Sequence, residues 1–536
     1  MVSESVRFRQ LKPGELCKVR FLYYRGDENY GLGNVLYDVS SAAALAVILN
    51  RTLIYGADAD DRKFGTLLRW PGILHMSDVN GLRLRARCGT GTLEAVRRVT
   101  LAPDKCTFHQ RWRRERSGHV RCFKRLLGTD WLSEAAPILE LSKVHAFTGV
   151  QTLLKSAHEP LRRRVAAVTG GCLAHGGRPN VHGAILATMM RPAPAVLSAV
   201  RWALAQQQRQ QQRFMTRGSR QQPWVPPQIA LHVRAMSDHR ARNLTLREQE
   251  NQMQNALLCV QRSLGAIAAE GGGKRRGAAP LLSALVVSSS PELRALLVRQ
   301  LKARTKRLIA EAKGRPARER VAEPHLLPLI FDWRLFVKNA PAERVAALST
   351  SESAAAKFCA GVNATESFRC NRSAHLRDWG PEPHWVAVVE LLLVAAITHV
   401  VVGAGYPYFK VCNTFAQIGA ALADAAPEWL CKLGPASKRG HLERQCSRGP
   451  RGVRLICASR VFSTDWGSSM WRTLNATAKR GSDAVVDCAA PTCMATPLQP
   501  ELWDGLKGER CPLDGDTFEA GGLLFGSTIK PLSLHH

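Results

Sequence analysis

Residues 28–56 read ENYGLGNVLYDVSSAAALAVILNRTLIYG. The stretch follows an apolar run, Lys18 to Tyr24, that reads as a strand. Gly31 and Gly33 make a tight turn, and Leu36 to Leu49 form a helix of small and aliphatic residues. Thr52 to Tyr55 then returns to the pattern of a strand. A strand, a glycine turn, a helix and a second strand form a β-α-β unit, whose two strands lie parallel and need a helical crossover.

The same alternation returns in the second half of the chain. Gln228 to Val233, Leu285 to Ser288, Leu326 to Phe331 and Thr398 to Val402 are short apolar strand candidates. Pro291 to Arg304, His384 to Ile397 and Thr414 to Asp424 are helices between or after them. Proline opens the first of these, where its missing N–H costs nothing. Short apolar strands alternating with helices predict a parallel sheet covered on both faces. Residues 58 to about 200 carry basic stretches such as RWRRERSGHVRCFKR (111–125) and no recognisable chemistry. Residues 205–227, AQQQRQQQRFMTRGSRQQPWVPP, read as a low-complexity linker or insertion. Val386 to Ala404 is apolar enough to suggest a membrane span, but it carries Glu390 and His399, and a buried helix leading into a buried strand is the preferred reading.

A chain of 536 residues exceeds one ordinary core, and its 45% hydrophobic content is that of a globular protein. Lys and Arg number 75 against 43 acidic residues, a net charge of +32. Such a charge attracts polyanions: nucleic acid, anionic membrane or phosphate-bearing substrates. The fifteen cysteines form no CxxC pair and no zinc-ligand spacing, which argues against a metal site. Seven of them lie from Cys412 onward, so the tail is expected to be stapled by disulfides. Sequons at Asn50, Asn243, Asn363, Asn371 and Asn475 add to the expectation of a lumenal compartment, although the first residues show no apolar signal segment.

In an open parallel sheet, ligands sit beyond the carboxyl ends of the strands. Three loops there carry candidate chemistry. Gly31, Gly33 and Asn34 form a turn whose backbone either closes a bare bend or approaches a phosphate at a helix start. The turn lacks the third glycine of the dinucleotide fingerprint and the lysine of a P-loop. The stretch IALHVRAMSDHR (229–240) ends a buried strand in His232 and Arg234. That arginine either pairs with Asp238 or holds a diphosphate through two parallel N–H bonds. In ITHVVVGAGYPYFKVCNTFAQIGAALA (397–423), Asn413, Thr414 and Phe415 open a helix, where they either cap it or bind an anion.

In order and spacing these islands resemble the GT-B-fold fucosyltransferase superfamily, which holds the protein O-fucosyltransferases, the α1,6- and α1,2-fucosyltransferases and the xyloglucan enzymes. The resemblance rests on the glycine turn and the helix ending in Asn50-Arg51, on His232-Val233-Arg234, on LVVSSSPELRALL (285–297), and on Glu390 followed by Asn413-Thr414-Phe415. It departs from the family at Ala235, where a second arginine is common. Asp238 stands one place late, Ser288-Ser289-Ser290 replaces an acidic turn, and Glu390 stands where Asp is usual.

The resemblance implies two Rossmann-like doubly wound α/β domains facing a cleft, with a Cys-rich extension. The expected division is an N-terminal acceptor-side domain over 1–204, a linker over 205–227, a nucleotide-sugar domain over 228–430 and the extension over 431–536. It implies inverting transfer of fucose from GDP-fucose to a hydroxyl of a glycan or glycoprotein, with no obligatory metal and no cofactor, in the Golgi or endoplasmic reticulum lumen. Any membrane association would need an anchor beyond the residues seen, and no specific nucleic acid partner is expected. Arg234 would stabilise the leaving diphosphate. Gly31, Gly33, Asn34, His232, Glu390, Asn413, Thr414 and Phe415 would bind the donor. Asp238 is the candidate catalytic carboxylate, with Asp27 a second by position. Two other readings stay open: an inactive or donor-altered relative that binds nucleotide sugar or glycan, and a basic polyanion-binding protein.

Overall fold

The computed structural model describes residues 19–24, 32–56, most of 64–74, 98–101, 128–141, 157–169, 181–215, 226–233, parts of 256–267, 281–288, 293–303, 325–349, 383–404, 414–433 and 453–457. The chain divides into two compact units: among the described residues the first holds 19–24 and 34–191, and the second holds 32–33 and 192–457.

The first unit holds a four-stranded parallel sheet of β1 (Phe21–Tyr24), β2 (Thr52–Tyr55), β3 (Arg98–Leu101) and β4 (Ile138–Leu141), in the order β2-β1-β4-β3. Helix α1 (Leu32–Ile48) is the crossover from β1 to β2. Every residue from Leu36 to Ala46 is buried, so the helix is covered all round, which small side chains such as Ser40 to Ala44 permit. Its end is set by Asn50, whose φ of 50° lies in the left-handed region that asparagine tolerates. The Arg51 N–H reaches back to Ala46 O at 2.8 Å, and the Asn50 N–H to Val47 O at 3.2 Å. These two bonds are those of a Schellman cap. Helices α2 (Glu159–Thr169) and α3 (Val181–Met189) follow β4. His182 of α3 bonds Ser40 of α1 through Nδ1 at 2.8 Å, with its ring 4.3 Å from that of Tyr37.

The second unit holds a five-stranded parallel sheet: β5 (Ile229–Val233), β6 (Leu281–Ser288), β7 (His325–Leu329), β8 (Val400–Ala404) and β9 (Arg454–Cys457), in the order β9-β8-β5-β6-β7. Alternation assigns the two faces. Ile229, Leu231 and Val233 cluster with Leu282, Ala284, Val286, Val400 and Val402. Leu257, Val260 and Leu264, together with Leu297, Val298 and Leu301 of the helical residues 293–303, cover that face. The opposite face meets α4 (Pro194–Met215), α6 (His384–Ala395) and α7 (Thr414–Ala425). Both faces are therefore covered, and the fold is α/β with parallel sheets. Beside α6, the short α5 (Trp333–Asn339) brings Phe336 against Trp202 of α4 and Trp385 of α6, and Phe331 joins the same aromatic cluster.

Two sequence expectations are corrected here. The glutamine-rich stretch from 205 is no linker as far as Met215: it continues α4, and Gln207 and Gln211, one turn apart, are buried. Gln207 Nε2 donates to Ser283 Oγ at 2.6 Å, and Gln228 Oε1 accepts from the Ser283 N–H at 2.7 Å. Polar residues on the sheet-facing side hid the helical period from a hydrophobicity reading. Nor does the sheet domain stop at 430: α8 (Glu428–Cys431) crosses that boundary, and β9 supplies an edge strand from within the expected extension. The rest of that extension lies outside the described residues. The segment 386–404 is α6 followed by β8, and no described helix is long and apolar enough to cross a membrane.

Candidate functional site

The strand order of the second sheet has one reversal. From β5 the chain moves outward to β6 and β7, then returns to lay β8 and β9 on the other side. The crevice beyond the carboxyl ends of β5 and β8 is thus a topological switch point, where open α/β sheets bind ligands. Register brings these ends level, with His232 beside Gly403, Val233 beside Ala404, and Val233 beside Ser288 of β6.

His232 occupies the face opposite the Leu231–Val233 cluster, toward α7. Its ring stacks on Phe415, with centroids 4.6 Å apart and planes 20° apart. The two residues come from sequence segments far apart, and the fold brings them together at the switch point. Only 6% of His232 is exposed, so stacking holds the imidazole in one orientation.

At the neighbouring strand end, Arg294 Nη2 donates to the carbonyl of Ser288 at 2.6 Å and lies 3.1 Å from Glu390 Oε1. Both side chains are less than 10% exposed. Arg294 starts from the helical residues 293–303 on one face of the sheet, and Glu390 from α6 on the other. Sequence reasoning singled out Glu390 and missed Arg294. The only signal available for Arg294 was its place three residues into the Pro-led helix after β6.

Gly33 is buried in the first turn of α1, and Thr414 is the first residue of α7. Gly31, Arg234, Asp238, Asn413 and Asp27, with the side chains of Asn34 and Thr414, lie outside the described residues. Among the described residues no cluster of three or more His, Cys, Asp or Glu is arranged to hold a metal ion.

The sequence profile of a family of unknown function, DUF7810, matches residues 2–301 and 353–432, more than half of the chain. The chain belongs to DUF7810. No curated protein matches it. Among solved structures, an Arabidopsis thaliana FUT1 mutant in complex with GDP is similar at 11% identity and a TM-score of 0.37, over 79% of this DUF7810 chain and 73% of the other. The fucosyltransferase NodZ from Bradyrhizobium is similar at 10% identity and a TM-score of 0.31, over 76% and 94%. The NodZ alpha-1,6-fucosyltransferase soaked with GDP-fucose is similar at 11% identity and a TM-score of 0.32, over 76% and 94%. These likenesses to the DUF7810 chain are loose.

Proposed function

We propose that this chain is a glycosyltransferase that moves fucose from GDP-fucose to a hydroxyl of a glycan or glycoprotein with inversion. The observation that carries the nucleotide site is the switch point, where the His-x-Arg strand ends with His232 stacked on Phe415 of the facing helix. GDP-fucose as donor comes from the sequence resemblance and its ordered motifs. The same resemblance gives the first unit the acceptor side.

In the reaction, the acceptor oxygen forms a bond to the anomeric carbon as the bond to the diphosphate oxygen breaks. The acceptor proton passes to a carboxylate, for which Asp238 and Asp27 are the candidates. The leaving group gains negative charge, so it needs fixed donors already in place. Arg234 follows Val233 directly at the carboxyl end of β5 and supplies a guanidinium suited to two diphosphate oxygens. The N–H groups at the start of α7 add a partial positive charge. The reading of a lumenal site of action rests on the five sequons and the fifteen cysteines of the sequence.

Calorimetric titration with GDP, using UDP as control, tests this reading. The wild type is expected to bind GDP in the micromolar range, about −8 kcal/mol, and to prefer it to UDP. Arg234→Ala is expected to abolish that binding and to lower any transfer rate by about 10²–10³. Equal binding by wild type and variant removes Arg234 from the site. The serines at 288–290, where the resembled family carries an acidic turn, favour a second reading as a donor-altered relative. GDP binding without transfer to any acceptor would select it.

A further inference from the structure

The Arg294–Glu390 pair does something that neither residue shows alone. The helix carrying Arg294 packs on one face of the second sheet, through Leu297, Val298 and Leu301. Helix α6, carrying Glu390, belongs to the opposite layer with α4 and α7. The guanidinium crosses the carboxyl end of β6, donating to the last carbonyl of that strand on the way to the carboxylate. The pair thereby ties both helical layers to the strand end beside the switch point.

We infer that Arg294 and Glu390 are positioning residues for the nucleotide site, and that Glu390 acts through Arg294 rather than on the nucleotide. The inference rests on the nucleotide-binding reading above. Its physical basis is the geometry. A carboxylate this deeply buried and already facing a guanidinium has its charge balanced inside the protein. One nitrogen of the rigid, planar guanidinium, Nη2, meets the carbonyl and the carboxylate together. Helix α6 also packs along α7, whose Phe415 stacks on His232. A shift of α6 would therefore move that stack, and the level of β6 beside Val233 would shift with it.

The test uses E390Q, R294M, R294K and the R294M/E390Q double variant in the full chain, with two measurements. In titrations, E390Q and R294M are each expected to weaken GDP binding about tenfold, and the double variant no further, because both remove one coupled contact. Inosine diphosphate, which lacks the exocyclic amine of guanine, is expected to weaken by the same factor as GDP. R294K, which keeps the charge, is expected to recover part of the affinity lost in R294M. Loss of GDP binding that spares inosine diphosphate would mean that Glu390 touches the base, and would overturn the inference. Additive losses in the double variant, or lower melting temperatures with unchanged affinities, would also overturn it.

The second measurement is amide hydrogen exchange of 285–288 in nucleotide-free protein. Exchange there is expected to rise about tenfold in E390Q, as expected when an anchoring contact is lost. Unchanged exchange rejects the anchoring even where affinity falls. A wild type that binds no GDP would refute the reading of the site, and this nucleotide-free arm would still decide whether the pair anchors β6.

Discussion

Asn50 and Arg51 divide one task between them. Asn50 turns the chain out of α1, and Arg51 then sends its guanidinium under the amino ends of the strands. Nη1 donates to Ala136 O at 2.7 Å and Phe21 O at 3.3 Å, and Nη2 to Glu134 O at 2.6 Å. These carbonyls lie at or just before the starts of β1 and β4, the edge opposite the strands' carboxyl ends, so the Asn-Arg pair of the sequence resemblance is structural in this chain. Burial draws the Arg51 pKa down to about 10, the nearby Arg20 charge adds to the effect, and Glu134 opposes it. A base held below its ordinary value binds its proton less tightly in the fold than in the unfolded chain. Its ionisation alone favours the fold only at high pH, and that contribution is gone once pH falls through about 10. At neutral pH Arg51 is a charge held at a cost, offset by its carbonyl bonds. Arg51→Lys cannot reproduce the fork and is expected to lower stability by about 2–4 kcal/mol, read as a shift in the urea midpoint.

Helices α6 and α7 approach each other at Gly419. A Cβ placed there would lie 2.5 Å from Val394 Cγ1 and 3.1 Å from its Cβ. Alanine would gain up to about 1 kcal/mol in helix propensity, but a β-branched valine has little rotamer freedom in a helix to retreat. Gly419→Ala is therefore expected to lower stability by about 1–3 kcal/mol in thermal melts, and adding Val394→Ala should recover most of the loss. Much of this layer was legible in sequence, because strands buried on both faces read as continuous apolar runs: β5, β8 and α6 were predicted to within a few residues. Helix α4 was not, since Gln207 and Gln211 place amides where periodicity expects aliphatics. Strand β9 was missed although it is no shorter than the edge strand β2, because it lies in the cysteine-rich stretch where no strand-helix alternation marks it. At the site, His232 and Phe415 were both singled out by residue type and place in the motifs. Their stacking, and the partnership of Glu390 with Arg294, join positions about a hundred residues or more apart, which no local pattern encodes.

The charge of +32 belongs to the whole molecule rather than to any one element. If it acts only as a diffuse field, binding to a random RNA oligomer should fall by about 10³ or more between roughly 50 and 200 mM salt, as counterions are no longer released. GDP carries few charges and engages a shaped site in the proposed reading, so its affinity should fall by less than about tenfold over the same range. Fluorescence titrations with both ligands check this. Tight RNA binding that falls this steeply, in a chain with no preference for GDP over UDP, would favour the polyanion-binding reading. One feature of the second sheet also sets the timetable of its synthesis. The strand that flanks the switch point, β8, emerges well before β9, its outer neighbour. Until Cys457 has left the ribosome, β8 keeps an open row of backbone donors and acceptors, a template on which another nascent chain can pair. A pause in translation between residues 404 and 454 would lengthen that exposure, and so the yield of native protein should depend on how fast this part of the message is read.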